Sequence, residues 1–110
     1  MANAQYQPCI EACKQTIAAC LACIKACKSE EHSTMMQRCI SLDTDCAEFC
    51  QLAVKSMERD SEFVTLICED CAEICQVCAE ECSKHAEAHC QECAQTCRAC
   101  VEECLKVISH

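Results

Sequence analysis

The sequence predicts an all-α fold, an antiparallel up-down-up-down four-helix bundle with a cysteine-lined core, and three observations carry that prediction. The 110 residues contain 18 cysteines, one proline and no glycine, so turns and loops that need positive φ lack their natural residue, which disfavours hairpins and phosphate-cradling folds. The cysteines recur at intervals of three and four residues, the period of one inward face of a helix. Four stretches of about equal length are separated by short polar segments, and short connections force successive helices to run antiparallel.

The first helix is expected over 5–28, with Pro8 tolerated in its first turn, ending before the polar run that contains Ser29 and His32. Thr34 with Gln37 three residues later fits a capping box for a second helix over 34–58. Asp60 or Ser61 would cap a third over 61–84, with Lys84 in its last turn, and the fourth would run over 86–108. The 110 residues form one domain.

The third and fourth helices read as a repeat. The run from Cys68 to Cys82 aligns without gaps on the run from Cys90 to Cys104, and all five cysteines of each coincide. These are Cys68, Cys71, Cys75, Cys78 and Cys82 against Cys90, Cys93, Cys97, Cys100 and Cys104. They fill the heptad seam that Leu and Ile occupy in ordinary bundles. The first helix keeps the pattern at Cys9, Cys13, Cys20, Cys23 and Cys27, with Thr16 in the empty slot, and the second has Cys39, Cys46 and Cys50, with Asp43 in its gap. Every cysteine thus lies on an expected inward face. Ile10, Ile17, Leu21 and Ile24 on the first helix, and Ile67, Ile74 and Val77 on the third, form an adjacent stripe that seals the seams between helices or packs on another subunit. Thr16 reads as a space-filler bonded back to its own helix.

Composition narrows the function. Leu, Ile, Val and Phe together supply 19 residues, too few for a conventional core at this net charge. Cysteines must fill the interior as small apolar groups, disulfides or metal thiolates. The formal charge of −9 and the three aromatic residues argue against a nucleic-acid partner. Neither a signal peptide nor a membrane span is apparent. A cytoplasmic location is expected, where thiols stay reduced and cysteine density favours metal. Neither a catalytic triad nor a paired-carboxylate site stands out, so an enzyme is not expected.

The spacing selects the chemistry. Neighbouring side chains on a helix face are about 5–6 Å apart at Cβ, beyond disulfide reach, whereas two thiolates on one ion each sit roughly 2.3 Å from it. Seven Cys-x3-Cys and five Cys-x2-Cys pairs therefore read as many metal ions strung along a bundle axis. Thiolates select Cu(I), zinc or iron–sulfur clusters. Cu(I) shares thiolates between neighbouring ions, and one monovalent ion per thiolate leaves the core near neutral, while four-thiolate zinc leaves excess negative charge in a low dielectric. The expectation is multiple Cu(I) ions, near one per cysteine. A metallothionein-like zinc or cadmium buffer and a disulfide-stapled helical module are the alternatives.

The antiparallel arrangement brings His32, Met35, Met36, His85 and His89 to one end, where imidazole and thioether groups can receive an ion and pass it to Cys27, Cys39, Cys82 and Cys90. These residues read equally as solvated or packing groups. His110 and Met57 fall at the opposite end. Asp43 reads as paired with a Lys or Arg, or turned slightly outward, with a role as metal ligand near the mouth as the alternative.

The cysteine ladder, the run Cys39-Ile-Ser-Leu-Asp43-Thr-Asp-Cys46-Ala-Glu-Phe-Cys50 and the turn Lys84-His85-Ala-Glu-Ala-His89-Cys90 resemble the bacterial copper storage proteins, specifically their cytosolic branch, over residues 8–105. The resemblance implies a four-helix bundle filled by many Cu(I) ions on its 18 cysteines, assembled as a homotetramer, which stores copper and keeps it from other proteins. A copper chaperone or chelator would be a further partner.

Overall fold

The computed structural model describes residues 2–29 and 33–109. It contains α1 (Gln7–Lys28), α2 (Gln37–Glu58), α3 (Val64–Ser83) and α4 (Ala88–Ile108), with single 3-10 turns leading into α1 and α2. Helix-compatible residues run through each segment without glycine, and the one proline sits at the start of α1, where its missing N–H is no loss. Each helix packs on two neighbours, closing a ring in the order α1, α2, α3, α4. The result is a rod of 48 × 19 × 18 Å.

The helix ends differ from the expected caps. Met36, not Thr34, is the N-cap of α2, and it makes no side-chain cap bond; the residues from Ser33 to Met36 form a 3-10 turn instead. Phe63 is the N-cap of α3, so neither Asp60 nor Ser61 caps it. Asp60 closes α2 instead. With φ at 54° it takes the left-handed position that glycine usually fills after a helix. The Asp60 amide donates to the Met57 carbonyl at 3.3 Å and the Ser61 amide to the Ser56 carbonyl at 2.9 Å, the paired bonds of a Schellman end. Ser61 contributes locally, its Oγ accepting from the Phe63 amide at 3.1 Å. With no side-chain N-caps on the four helices, tertiary packing has to hold them.

That packing is made of thiols. All 18 cysteines are buried at 0–1 % exposure. Larger apolar side chains gather mainly at the base, the end formed by the α2–α3 turn and the chain termini, where Ile10, Val54, Met57 and Val64 are buried. The opposite end, where α1 leads to α2 and α3 to α4, is polar. Of the aliphatic stripe, Ile17, Ile24, Ile67, Ile74 and Val77 are half-buried as seam residues should be, but Leu21 is 52 % exposed. About half of it faces solvent, so it closes its seam less than the half-buried members of the stripe do.

Candidate metal centre

Two ladders of sulfur face each other inside the ring. Between α1 and α4, Sγ–Sγ separations are 3.7 Å for Cys9–Cys104, 3.6 Å for Cys13–Cys100, 3.8 Å for Cys20–Cys93 and 3.9 Å for Cys23–Cys90. Between α2 and α3 they are 3.4 Å for Cys39–Cys82, 3.3 Å for Cys46–Cys75 and 3.7 Å for Cys50–Cys71. In both ladders each step forward along one helix is matched by an equal step back along the other. That is the signature of antiparallel pairs in fixed register. It follows directly from the three-four spacing, since antiparallel helices bearing the same inward period keep their thiols level.

The ladders merge into four-ligand groups. Cys13, Cys71, Cys100 and Cys104 form one, Cys20, Cys46, Cys78 and Cys97 another, and Cys50, Cys71, Cys75 and Cys100 a third. Nearest the polar end stand Cys23, Cys27, Cys39 and Cys90. Within each group all ligand atoms lie within 4.8 Å of one another, close to the span of about 4.6 Å that two metal–sulfur bonds of roughly 2.3 Å cover. All 18 thiols are free, and the contacts of 3.3–4.0 Å are hydrogen-bond separations, far beyond a sulfur–sulfur bond of about 2.05 Å. Shared members such as Cys71 and Cys100 make the groups one continuous sulfur lattice.

The thiols differ in acidity according to how many neighbours donate to them. Hydrogen bonds from Cys20, Cys50, Cys75 and Cys78 push the Cys46 thiol down, and hydrogen bonds from Cys104, Cys13, Cys50 and Cys71 do the same to Cys100. At the polar end hydrogen bonds from Cys23 and Cys82 lower Cys39 to about 3, while burial raises Cys27 to about 11. Thiolate, the form that binds metal, is thus favoured at particular points of the lattice.

Two oxygen-bearing side chains interrupt it, on adjacent levels near the middle. Thr16 donates to the Ala12 carbonyl at 2.9 Å, as the sequence suggests, and also lies 3.4 Å from the Thr96 carbonyl. Asp43 overturns its expected pairing. It is fully buried, no Lys or Arg reaches it among the described residues, and it stands opposite Cys78 in the α2–α3 register. Its Oδ1 accepts from Cys78 at 3.1 Å, Cys93 at 3.4 Å and Cys82 at 3.5 Å, and its Oδ2 from Cys39 at 3.8 Å. Desolvation is the largest influence on it and raises its carboxyl to about 8. With Cys20, Cys78 and Cys93 it makes a three-sulfur, one-oxygen group.

Of the histidines and methionines, His89 reaches the lattice. Its Nδ1 lies 3.5 Å from the Sγ atoms of Cys23 and Cys90 and 4.0 Å from that of Cys27, adding a nitrogen to the group at the polar end. His85 sits in the α3–α4 connection, its Nε2 2.9 Å from Glu81. Met36 is buried, Met35 is 70 % exposed and Met57 is buried at the base. His32 and His110 lie outside the described residues. Sequence reasoning missed Glu81 and Arg38, which join α3 to the start of α2 through a 2.6 Å ion pair at the mouth. Arg38 immediately precedes Cys39 and Glu81 immediately precedes Cys82, the two cysteines that face each other, and that parallel placement is the signal that could have found them.

The family described as copper storage protein matches residues 2–109. A cysteine-rich protein of Bacillus subtilis strain 168, YhjQ, is 46 % identical over 86 residues, 77 % of this chain and 80 % of that protein. Among solved structures, Cu(I)-bound copper storage protein BsCsp3 superposes with a TM-score of 0.90 at 44 % identity, covering 93 % of this chain and 96 % of that one. A cytosolic copper storage protein from Streptomyces lividans, solved with five coppers, gives 0.94 at 31 % identity over 99 % and 96 %.

Proposed function

Since the chain belongs to the copper storage protein family, we propose that it stores Cu(I) in quantity, on the thiolates of its 18 cysteines, within the bundle. The observation that carries this reading is the continuous sulfur lattice, in which most of the thiols lie within bridging distance of several others. Cu(I) bonds to two or three shared sulfurs, and a lattice of shared sulfurs is what such an ion fills. One Cu(I) per thiolate also keeps the interior near neutral, which four-thiolate zinc does not. The role is storage and sequestration, not catalysis.

Ions arrive at the polar end. There His89 and the group formed by Cys23, Cys27, Cys39 and Cys90 offer a nitrogen and four sulfurs, with His85 at the rim, whereas buried Met57, Val54 and Val64 plug the base. Met36 and Met35 are auxiliary ligands at this mouth, and Asp43 completes the group of Cys20, Cys78 and Cys93. Storage is cytoplasmic, as in the Streptomyces relative, and no helix among the described residues is long and apolar enough to cross a membrane. Exposed Leu21, Leu52, Leu66, Leu105 and Phe63 support assembly into a tetramer, and a copper chaperone is the donor that docks at the mouth.

The test is an anaerobic titration of the reduced protein with Cu(I) against a competing chromophoric chelator. Uptake of well over about ten ions per chain, approaching one per cysteine, is expected from shared thiolate coordination. Saturation at about four or fewer, the number of separate tetrahedral sites that 18 thiolates can build, would refute storage of Cu(I) in a shared lattice.

A further inference from the structure

Beside the thiols at the mouth stands a polar cluster that copper binding by cysteine leaves unexplained. Glu81 is a buried carboxylate on the last turn of α3, 8 % exposed. Its Oε1 accepts from Arg38 at 2.6 Å and lies 3.8 Å from Lys84 Nζ, and its Oε2 lies 2.9 Å from His85 Nε2. The hydrogen bonds from His85 and Arg38 hold the Glu81 carboxyl below the usual carboxylate range. The His85 backbone is fixed as well, its carbonyl accepting from Gln91 Nε2 at 2.6 Å.

An ionised carboxylate accepts but cannot donate, so the hydrogen in the His85–Glu81 bond belongs to Nε2. In neutral imidazole that leaves Nδ1 with a lone pair. A histidine whose second nitrogen donates to a carboxylate is the recurring arrangement around metal-binding imidazoles, because it sets both tautomer and ring orientation. The His85 amide donates to the Cys82 carbonyl at 3.1 Å, and the Cys82 thiol faces that of Cys39 at 3.4 Å. An ion pair serving only to tie α2 to α3 would need Arg38 and Glu81 alone. Here the second carboxylate oxygen is committed to the imidazole.

We propose that Glu81 is a positioning residue for copper uptake: anchored by Arg38, its carboxylate fixes the hydrogen of His85 on Nε2 and holds the ring at the mouth, so that Nδ1 is the atom offered to an incoming Cu(I). This rests on the reading that ions arrive at the polar end. Glu81 touches no ion itself and acts through His85.

The experiment combines two readouts. Long-range proton–nitrogen NMR on apo protein labelled with 15N-histidine reports which nitrogen of His85 carries hydrogen, without copper. The Nε2–H form is expected in the parent chain and in Arg38→Ala, and a mixture of tautomers in Glu81→Ala. Stopped-flow transfer from a Cu(I)–chelator complex then times the first ions. Glu81→Ala is expected to slow this phase about tenfold, the low end of the range for such supporting groups. His85→Ala should slow it equally, the double variant no further, and the final capacity should be unchanged. Hydrogen on Nδ1 in the parent chain, parent-like loading by Glu81→Ala or by His85→Ala, or additive slowing in the double variant would each overturn the proposal. Should Glu81→Ala lose helicity by circular dichroism, Glu81→Gln, which keeps the volume and removes the charge, takes its place with the same outcomes expected. If the parent chain itself took up few ions, storage would fail while the tautomer assignment still stood or fell on its own spectrum.

Discussion

Replacing Asp43 with Asn should flatten the pH dependence of apoprotein stability. Asp43 is buried among four sulfur donors with no cation beside it, and its carboxyl rises from 3.8 to about 8, chiefly through desolvation. Between those values the folded chain holds a proton that the unfolded chain releases. Stability is therefore full at the acid end and falls as pH rises toward 8. At about 1.36 kcal/mol per unit of pKa, the whole shift corresponds to a ceiling of roughly 6 kcal/mol, of which about 4 lies between about pH 4.5 and 7.5. Thiols lowered by their neighbours, Cys39 among them, contribute in the opposite sense, and they are common to both chains. Glu81, whose carboxyl is lowered, contributes stability in the opposite sense, lost only as pH falls through the acid range below 4.5, and it is common to both chains. The assay is urea unfolding of reduced, anaerobic apoprotein at several pH values in this window. Relative to Asp43→Asn, the parent should lose several kcal/mol as pH rises across the window. Parallel curves for the two chains would refute the inference that Asp43 is protonated in the fold.

Two further outcomes concern copper directly. Removing the imidazole in His89→Ala should slow filling of the group formed by Cys23, Cys27, Cys39 and Cys90 in stopped-flow while lowering total capacity by at most about one ion, since the thiolates are the main ligands. Thr16→Cys should raise capacity by about one ion in the same chelator titration, because it places a nineteenth thiol in the α1 gap, level with Cys46, Cys75 and Cys97; an unchanged capacity would mean that capacity does not follow the number of lattice thiols.

The inward cysteine faces could be read from the sequence because a three-four spacing has one geometric meaning on a helix, and fixed register followed once short connections imposed antiparallel neighbours. Asp43 shows the limit of that logic. Its slot was evident, but whether a cation could reach it depended on which residues of α3 and α4 stood level with it, and those were cysteines throughout. The caps failed for a related reason. Thr34 and Asp60 have the right chemistry for N-caps, but a 3-10 turn leads into α2, and in a chain without glycine the left-handed position after α2 had to be taken by another residue, which is Asp60. Glu81 and Arg38 looked like two more surface charges until the fold set them side by side.

Wherever a sulfur of the empty protein carries a hydrogen, its binding to Cu(I) as thiolate sends that proton out to solvent. The exchange is one positive charge for another. With one Cu(I) for each cysteine the exchange adds no charge to the thiol core, so repulsion from other copies and attraction for basic surfaces stay close to those of the empty protein. Seen from outside, a full vessel is electrostatically close to an empty one. Anything in the cell that must tell them apart has to probe the mouth, where the ligands are exchanged, or weigh the molecule's resistance to unfolding, because the surface field carries little message about the contents.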